Sequence, residues 1–280
     1  MRTTLKEVSG IDWGDGAVMN CVWRGPKLRD VLTRAGVAMG GAREAHVAFA
    51  SFQIPCQEEG WYGGSITLEK AMRGDGDVIL ALEMNEHALS AAHGAPVRII
   101  APGIAGARSV KWLDQISVQL QESQNYYQIR DYKVLPPEAT DAKTAEKFWK
   151  TTPALQEMPI NSVIAYPAED SKVKRDSKGA VQVGGYALPQ GDQGPVTKVE
   201  ISVDDGRTWQ AAQLITEPRY QSKWCWVLWK ATVKMSSGSS RRFLSRAIDA
   251  GGNVQTAHPK WNFRGVAYNG YGESKKITIL

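Results

Sequence analysis

The chain has 280 residues, 30.7 kDa, 42% hydrophobic and 22% charged residues, a net charge of +5 and a pI near 9.0. Such a composition is globular and excludes a mainly disordered chain, and its length suits one large domain or two ordinary ones. No apolar run approaches the roughly 18–20 residues of a membrane span, and residues 1–8 lack the apolar stretch of a secretory signal.

Three cysteines, Cys21, Cys56 and Cys225, are too scattered for a disulfide framework or a metal clip. They point to an intracellular, soluble setting. Lys172, Lys174, Arg175 and Lys178 form the one tight basic cluster, interleaved with Asp and Ser, and read as a solvated loop. Without a basic stripe or a known motif, no nucleic-acid partner is expected. The mild positive charge suits a small anionic substrate or cofactor instead.

Taken in chain order, the first part reads as mixed α and β. Residues 22–24 form a short strand. Leu28, Val31, Leu32 and Ala35 have helical spacing between Pro26 and Gly36. Residues 45–51 alternate as a strand, and 68–72 make a short helix. Residues 78–82 and 96–101 read as buried strands, and 109–119 as a strand pair or one extended segment. Prolines 136, 137 and 153 and a polar run mark 136–152 as a linker with one short helix.

Beyond the linker the pattern is all strand. Short runs at 162–166, 181–187, 196–203, 209–214, 224–231, 241–249 and 255–258 are spaced by turn residues. Asp204-Asp205-Gly206 and Ala250-Gly251-Gly252-Asn253 suit hairpin turns. Ten tryptophans, three of them at 224, 226 and 229, fit aromatic packing on a sheet. The count and spacing of strands are those of an immunoglobulin-like sandwich. The fold class expected is α+β, a mixed α/β domain over 1–135, the linker 136–152, and the all-β sandwich over 153–280.

Zinc-protease, P-loop, nucleophile-elbow and dinucleotide motifs are all missing from the sequence. His46, His87, His93 and His258 show no metal-ligand spacing. The densest chemistry lies at 93–112, where His93, Arg98, Arg108 and Lys111 flank a glycine-bearing loop. Cations and backbone N–H groups on one loop suit a phosphate. An ordinary charged sheet rim would look the same.

The run H-G-A-P-V-R-I-I-A-P-G-I-A-G-A-R-S-V-K-W at 93–112, followed by R-D-Y-K at 130–133, resembles the eukaryotic sulfite oxidase family of molybdenum enzymes. So do K-E-V-S-G-I-D-W-G-D-G-A at 6–17, W-R-G-P-K-L-R-D-V-L at 23–32, G-W-Y-G-G-S-I at 60–66 and L-E-M-N at 82–85. Downstream, S-V-D-D-G-R-T-W at 202–209, W-C-W-V-L-W at 224–229 and W-N-F-R-G-V at 261–266 resemble its dimerisation domain.

The resemblance implies oxidation of sulfite to sulfate by oxo transfer at a Mo-molybdopterin centre. It places Tyr132, Arg264 and Trp13 at the sulfite pocket, with Arg264 reaching in from the second domain. His93, Arg98, Ser109, Val110 and Lys111 are implied to hold the pterin phosphate. It further implies a homodimer through the C-terminal domain, a haem domain or cytochrome c as electron acceptor, and a mitochondrial intermembrane-space or cytosolic location.

No metal ligand is expected within this chain. The family's metal-ligating cysteine lies in a C-A-G-N-R-R motif ahead of the position matched by Met1, and none of the cysteines here takes its place. The isolated chain is therefore expected to bind cofactor poorly. A second departure is Ile54, near an aspartate that contacts the pterin in some members. Assimilatory nitrate reductases share the core. In them Met generally replaces the residue matched by Arg264, and Asn that matched by Tyr132. Lys133-Val134-Leu135-Pro136, however, leans towards nitrate reductase. A dimerising, non-catalytic remnant is the third reading.

Overall fold

A computed structural model describes residues 5–11, 13–38, 44–53, 55–217 and 221–280. The departure noted at Ile54 and the start of the chain at Met1 lie outside the described residues. The chain divides into two compact units. Unit 1 takes Met1–Asp12, Cys21–Met158 and Trp261–Ala267; unit 2 takes Trp13–Asn20, Pro159–Lys260 and Tyr268–Leu280.

Unit 1 is built from short strands and shorter helices. Its strands are β1 (Trp23–Arg24), β2 (His46–Ser51), β3 (Tyr62–Thr67), β4 (Ile79–Ala81), β5 (Glu83–Met84), β6 (His87–Ala88), β7 (Arg98–Ile100) and β8 (Gln115–Gln119). They pair antiparallel in the orders β3-β2-β8, β4-β7 and β1-β5-β6. Helix α1 (Leu28–Arg34) buries Leu28 and Leu32, as the spacing requires, and α2 (Leu68–Met72) starts where the Thr67 side chain accepts from Lys70 N. Leu28, Leu32, Val47, Phe49, Ile66, Leu68, Ile99 and Val110 meet in one core.

Three features of unit 1 depart from the sequence pattern. Strand β3 carries Gly63 and Gly64 and shows no apolar alternation; pairing to β2 over its whole length makes it a strand. Residues 109–119 are not extended throughout, because a 3₁₀ turn at Gly106–Arg108 and a loop precede β8. The segment expected as a linker packs instead. Helix α3 (Ala142–Ala145), opened by a capping box at Asp141, joins Leu135, Ala139 and Trp149 in a small core that Phe263 completes.

Unit 2 is an all-β sandwich. Its strands are β9 (Asn161–Tyr166), β10 (Lys172–Val173), β11 (Ala180–Leu188), β12 (Val196–Ser202), β13 (Gln210–Ala211), β14 (Gln213–Ile215), β15 (Val227–Lys234), β16 (Gly238–Asp249) and β17 (Gly272–Ile279). One sheet runs β10-β17-β16-β12-β13 and the other β14-β15-β11-β9. Strand β15 alternates strictly, burying Val227, Trp229, Ala231 and Val233 against Val199, Ile201, Phe243, Ala247 and Ile277 of the facing sheet. Trp224 and Trp226 precede that strand rather than joining it, and residues 255–258 supply one isolated bridge, Thr256 to Gly270. Asp205 and Gly206 take φ of 60° and 83° in the turn after β12, as the Asp-Asp-Gly pattern asks.

Candidate functional site

Unit 1 holds a cavity of about 310 Å³ lined by Ser51, Cys56, Tyr62, Arg98, Gly106, Ser109, Lys111 and Trp112. Strand β7 delivers Arg98, which is only 7% exposed. Its guanidinium donates to His93 O at 3.0 Å and Ser109 O at 3.2 Å, tying together the two loops beside the cavity. It also lies 5.0 Å from the centre of the Trp23 ring. Lys111 Nζ donates to Ala92 O at 3.0 Å and sits 4.3 Å over the Trp112 ring. Ser109 Oγ accepts from Ala101 N at 3.2 Å.

These side chains make the cavity electropositive. Among the described residues two cations line it and no carboxylate does. Burial lowers the pKa of both Arg98 and Lys111, and for Lys111 the neighbouring Arg98 adds to the shift. Burial pushes the Cys56 thiol up, with Glu59 second, so Cys56 is protonated at neutral pH. Two cations, three hydroxyls and an indole fit an anionic group with a flat ring system, such as a pterin phosphate.

A second cluster of unit 1 surrounds Tyr132. The chain makes a five-residue π-helical turn over Tyr127–Asp131 and leaves it at Tyr132. Such turns widen the helix by one residue and recur at functional sites. Arg264 comes from Trp261–Ala267, the late stretch that belongs to unit 1. Backbone bonding at Ser9 N to Phe263 O (2.8 Å) and the Trp261 Nε1 bond to Glu7 O (3.0 Å) hold that stretch. The Arg264 guanidinium pairs with the Asp131 carboxylate and donates to Ser9 O at 3.1 Å. Burial raises the Tyr132 phenol pKa, and Asp131 adds to this while Arg108 and Arg264 oppose it. The phenol is thus a proton donor at neutral pH.

Tyr62 belongs to both clusters. It lines the cavity, its hydroxyl donates to Ala107 O at 2.8 Å, and its ring lies 5.0 Å from that of Tyr127. Burial and then Tyr132 raise its pKa.

The structure brings Arg98, Ser109 and Lys111 to one cavity and pairs Arg264 with Asp131, the residue before Tyr132. His93 contributes its carbonyl to Arg98, and its side chain is exposed. Val110 is fully buried in the core, and its carbonyl accepts from Ile99 N at 2.9 Å. Trp13 belongs to unit 2 and is 68% exposed. Sequence reasoning does not single out Ser51, Cys56, Tyr62 or Trp112 as lining residues, or Asp131 as the partner of Arg264. The available signals were Tyr62 within G-W-Y-G-G-S-I and the adjacency of Asp131 to Tyr132.

The first 127 residues match the family described as oxidoreductase molybdopterin binding domain, and 152–277 match the Mo-co oxidoreductase dimerisation domain. The chain is 39% identical over 273 residues to human mitochondrial sulfite oxidase, covering 96% of this chain and 48% of that protein. It is 37% identical to sulfite oxidase of Arabidopsis thaliana, covering 94% of this chain and 68% of that protein. A nitrate reductase [NADH] of Volvox carteri is 36% identical, with 95% of this chain and 32% of that protein covered. The sulfane dehydrogenase SoxCD of Paracoccus pantotrophus shares the fold, with a TM-score of 0.70, 24% identity and cover of 93% of this chain and 63% of that one.

The two family matches define the class: a molybdopterin-binding oxidoreductase domain followed by a Mo-co oxidoreductase dimerisation domain. The chain belongs to the sulfite oxidase family, whose cofactor is Mo-molybdopterin. It spans about half the length of the animal relatives it matches. Among the described residues, no helix is long and apolar enough to cross a membrane.

Proposed function

We propose that this chain is part of an enzyme that oxidises sulfite to sulfate. The observation that carries the reading is the ion pair of Arg264 with Asp131, the residue before Tyr132, whose phenol feels the charges of Arg108 and Arg264. When bound, the molybdenum group supplies the oxygen atom and takes up two electrons. Arg98, Lys111 and Ser109 hold the anionic end of the pterin, and His93 positions Arg98 through its carbonyl. Arg264 and the protonated Tyr132 donate to the sulfite oxygens and orient the anion. Asp131 keeps Arg264 in place between turnovers.

The stretch that leans towards nitrate reductase has a packing explanation. Lys133 is 3% exposed, and its Nζ donates to Trp149 O and Thr152 O, both at 2.7 Å. Leu135 is 1% exposed in the same small core. Both residues answer to folding and carry no information on substrate. The dimerisation-domain match extends the proposal to a homodimer through unit 2.

The test is the native holoenzyme assayed with sulfite and with nitrate. Sulfite oxidation is expected. Arg264→Met should lower kcat/KM for sulfite about 10- to 100-fold, the worth of one hydrogen bond to a charge. Nitrate reduction without sulfite oxidation would overturn the reading.

A further inference from the structure

Arg108 is the largest buried charge without a role in the site so far. It is fully buried, and no carboxylate lies within ion-pair distance among the described residues. Its guanidinium works on main-chain carbonyls alone. Nη1 donates to Tyr127 O at 2.8 Å, and Nη2 to Leu155 O at 3.1 Å and Tyr132 O at 3.5 Å. Tyr127 opens the π-helical turn, and Tyr132 follows its last residue. The guanidinium carbon also lies 5.8 Å from the centre of the Tyr132 ring. At its other end, Arg108 closes the 3₁₀ turn begun by Gly106, a lining residue of the cavity.

A bare buried guanidinium is expensive, several kcal/mol in desolvation, so hydrophobic packing alone does not explain it. Space is also reserved for it. A Cβ at Gly64 would stand 3.3 Å from Arg108 Cδ and 3.5 Å from Gln128 Oε1. Gln128, fully buried inside the π-helical turn, accepts from Ser65 N at 3.1 Å and donates to Glu122 at 2.9 Å. The turn is therefore pinned from two sides, and Arg108 is the pin that reaches Tyr132.

We propose that Arg108 is a positioning residue: it clamps the π-helical turn at both ends, fixes Tyr132, and ties that tyrosine to the loop lining the cavity. Its value for turnover rests on the reading of Tyr132 as a sulfite-pocket residue. A rigid fork bridging three carbonyls suits this task better than an ammonium. Misplacing a reacting group by about 1 Å costs on the order of 100-fold in rate.

The test uses the native-length holoenzyme with Arg108→Met, Arg108→Lys and Gly64→Ala. Two readouts are compared: steady-state kinetics with sulfite, and nitration of Tyr132 by tetranitromethane, located by peptide mass spectrometry. Tyr166, 46% exposed, serves as the internal standard. Arg108→Met should lower kcat about 100-fold with KM changing less, and raise Tyr132 nitration several-fold with Tyr166 unchanged. Arg108→Lys should restore part of both. Gly64→Ala, which presses on Arg108 while keeping its charge, should give a smaller shift in the same direction. It and Arg108→Lys carry the test if Arg108→Met does not fold. Unchanged Tyr132 nitration and kcat in the folded variants would overturn the proposal. Raised nitration in Arg108→Met, with full sulfite turnover in Tyr132→Phe, would keep the clamp and sink the substrate reading instead.

Discussion

In unit 2 the buried carboxylate Glu200, 7% exposed, meets Arg246 at 2.7 Å and Lys198 at 2.5 Å. In unit 1 the buried cations Arg98, Arg108 and Lys133 meet main-chain carbonyls, with no carboxylate in ion-pair reach among the described residues. The charges buried in the sandwich are carboxylates, Glu200 paired with cations and Asp249, 2% exposed, held by N–H donors of Gln190 and Asn253; the site-bearing unit buries positive charge. Burying an unpaired charge costs several kcal/mol, only partly offset by hydrogen bonds worth about 1.5–3 kcal/mol each. An arriving anion recovers part of that cost. Unit 1 is therefore the unit whose stability should respond to cofactor, and unit 2 the one whose stability is set by apolar packing.

The largest expected effect challenges the second half of that contrast. Trp229 is 1% exposed between the two sheets. Trp229→Ala should cost about 3–5 kcal/mol in denaturant unfolding of unit 2. A loss below about 1 kcal/mol would mean that the core does not govern this unit.

Arg98→Met sharpens the first half. Removing the guanidinium that lines the cavity should weaken cofactor retention about 10- to 100-fold. Molybdenum and pterin content per protein after dialysis would read it. Full retention would show that the stored charge serves folding only.

The smallest effect concerns a half-buried carboxylate of unit 2. Asp204 accepts from Thr208 Oγ1 at 2.5 Å, Thr208 N at 2.9 Å and Ser202 Oγ at 2.7 Å. These bonds, the Thr208 hydroxyl first, bring its pKa from 3.8 down to about 2. A carboxyl depressed on folding stabilises the folded state above its unfolded pKa. That contribution is lost as the pH falls from 3.8 towards about 2. Asp204→Asn should flatten the stability-against-pH curve in this acid window. An unchanged curve would remove Asp204 from the account.

Much of the fold was readable where periodicity is strong. Leu28 and Leu32 mark one face of α1, and β15 alternates without a break. Strand β3 was not readable, because two glycines hide its pattern and pairing to β2 is long-range. The linker reading failed for a similar reason. Its prolines and charges are local signals, while burial of Leu135, Ala139 and Trp149 depends on Phe263, far along the chain. At the site, Arg98, Ser109 and Lys111 lie on one short stretch, so their gathering could be read. The pairing of Arg264 with Asp131 spans 133 positions, and the late stretch packs in unit 1 rather than in the sandwich. The clamp by Arg108 depends on carbonyls, which side-chain identity does not encode.

Lys133 has a further consequence. Its amine sits in a socket made by the carbonyls of Trp149 and Thr152, and burial lowers its pKa. An acylating reagent reaches surface lysines at once, but this amine only when the socket opens. The acylation rate of Lys133 is therefore a built-in clock for local unfolding of unit 1, readable by mass spectrometry while the sandwich stays closed.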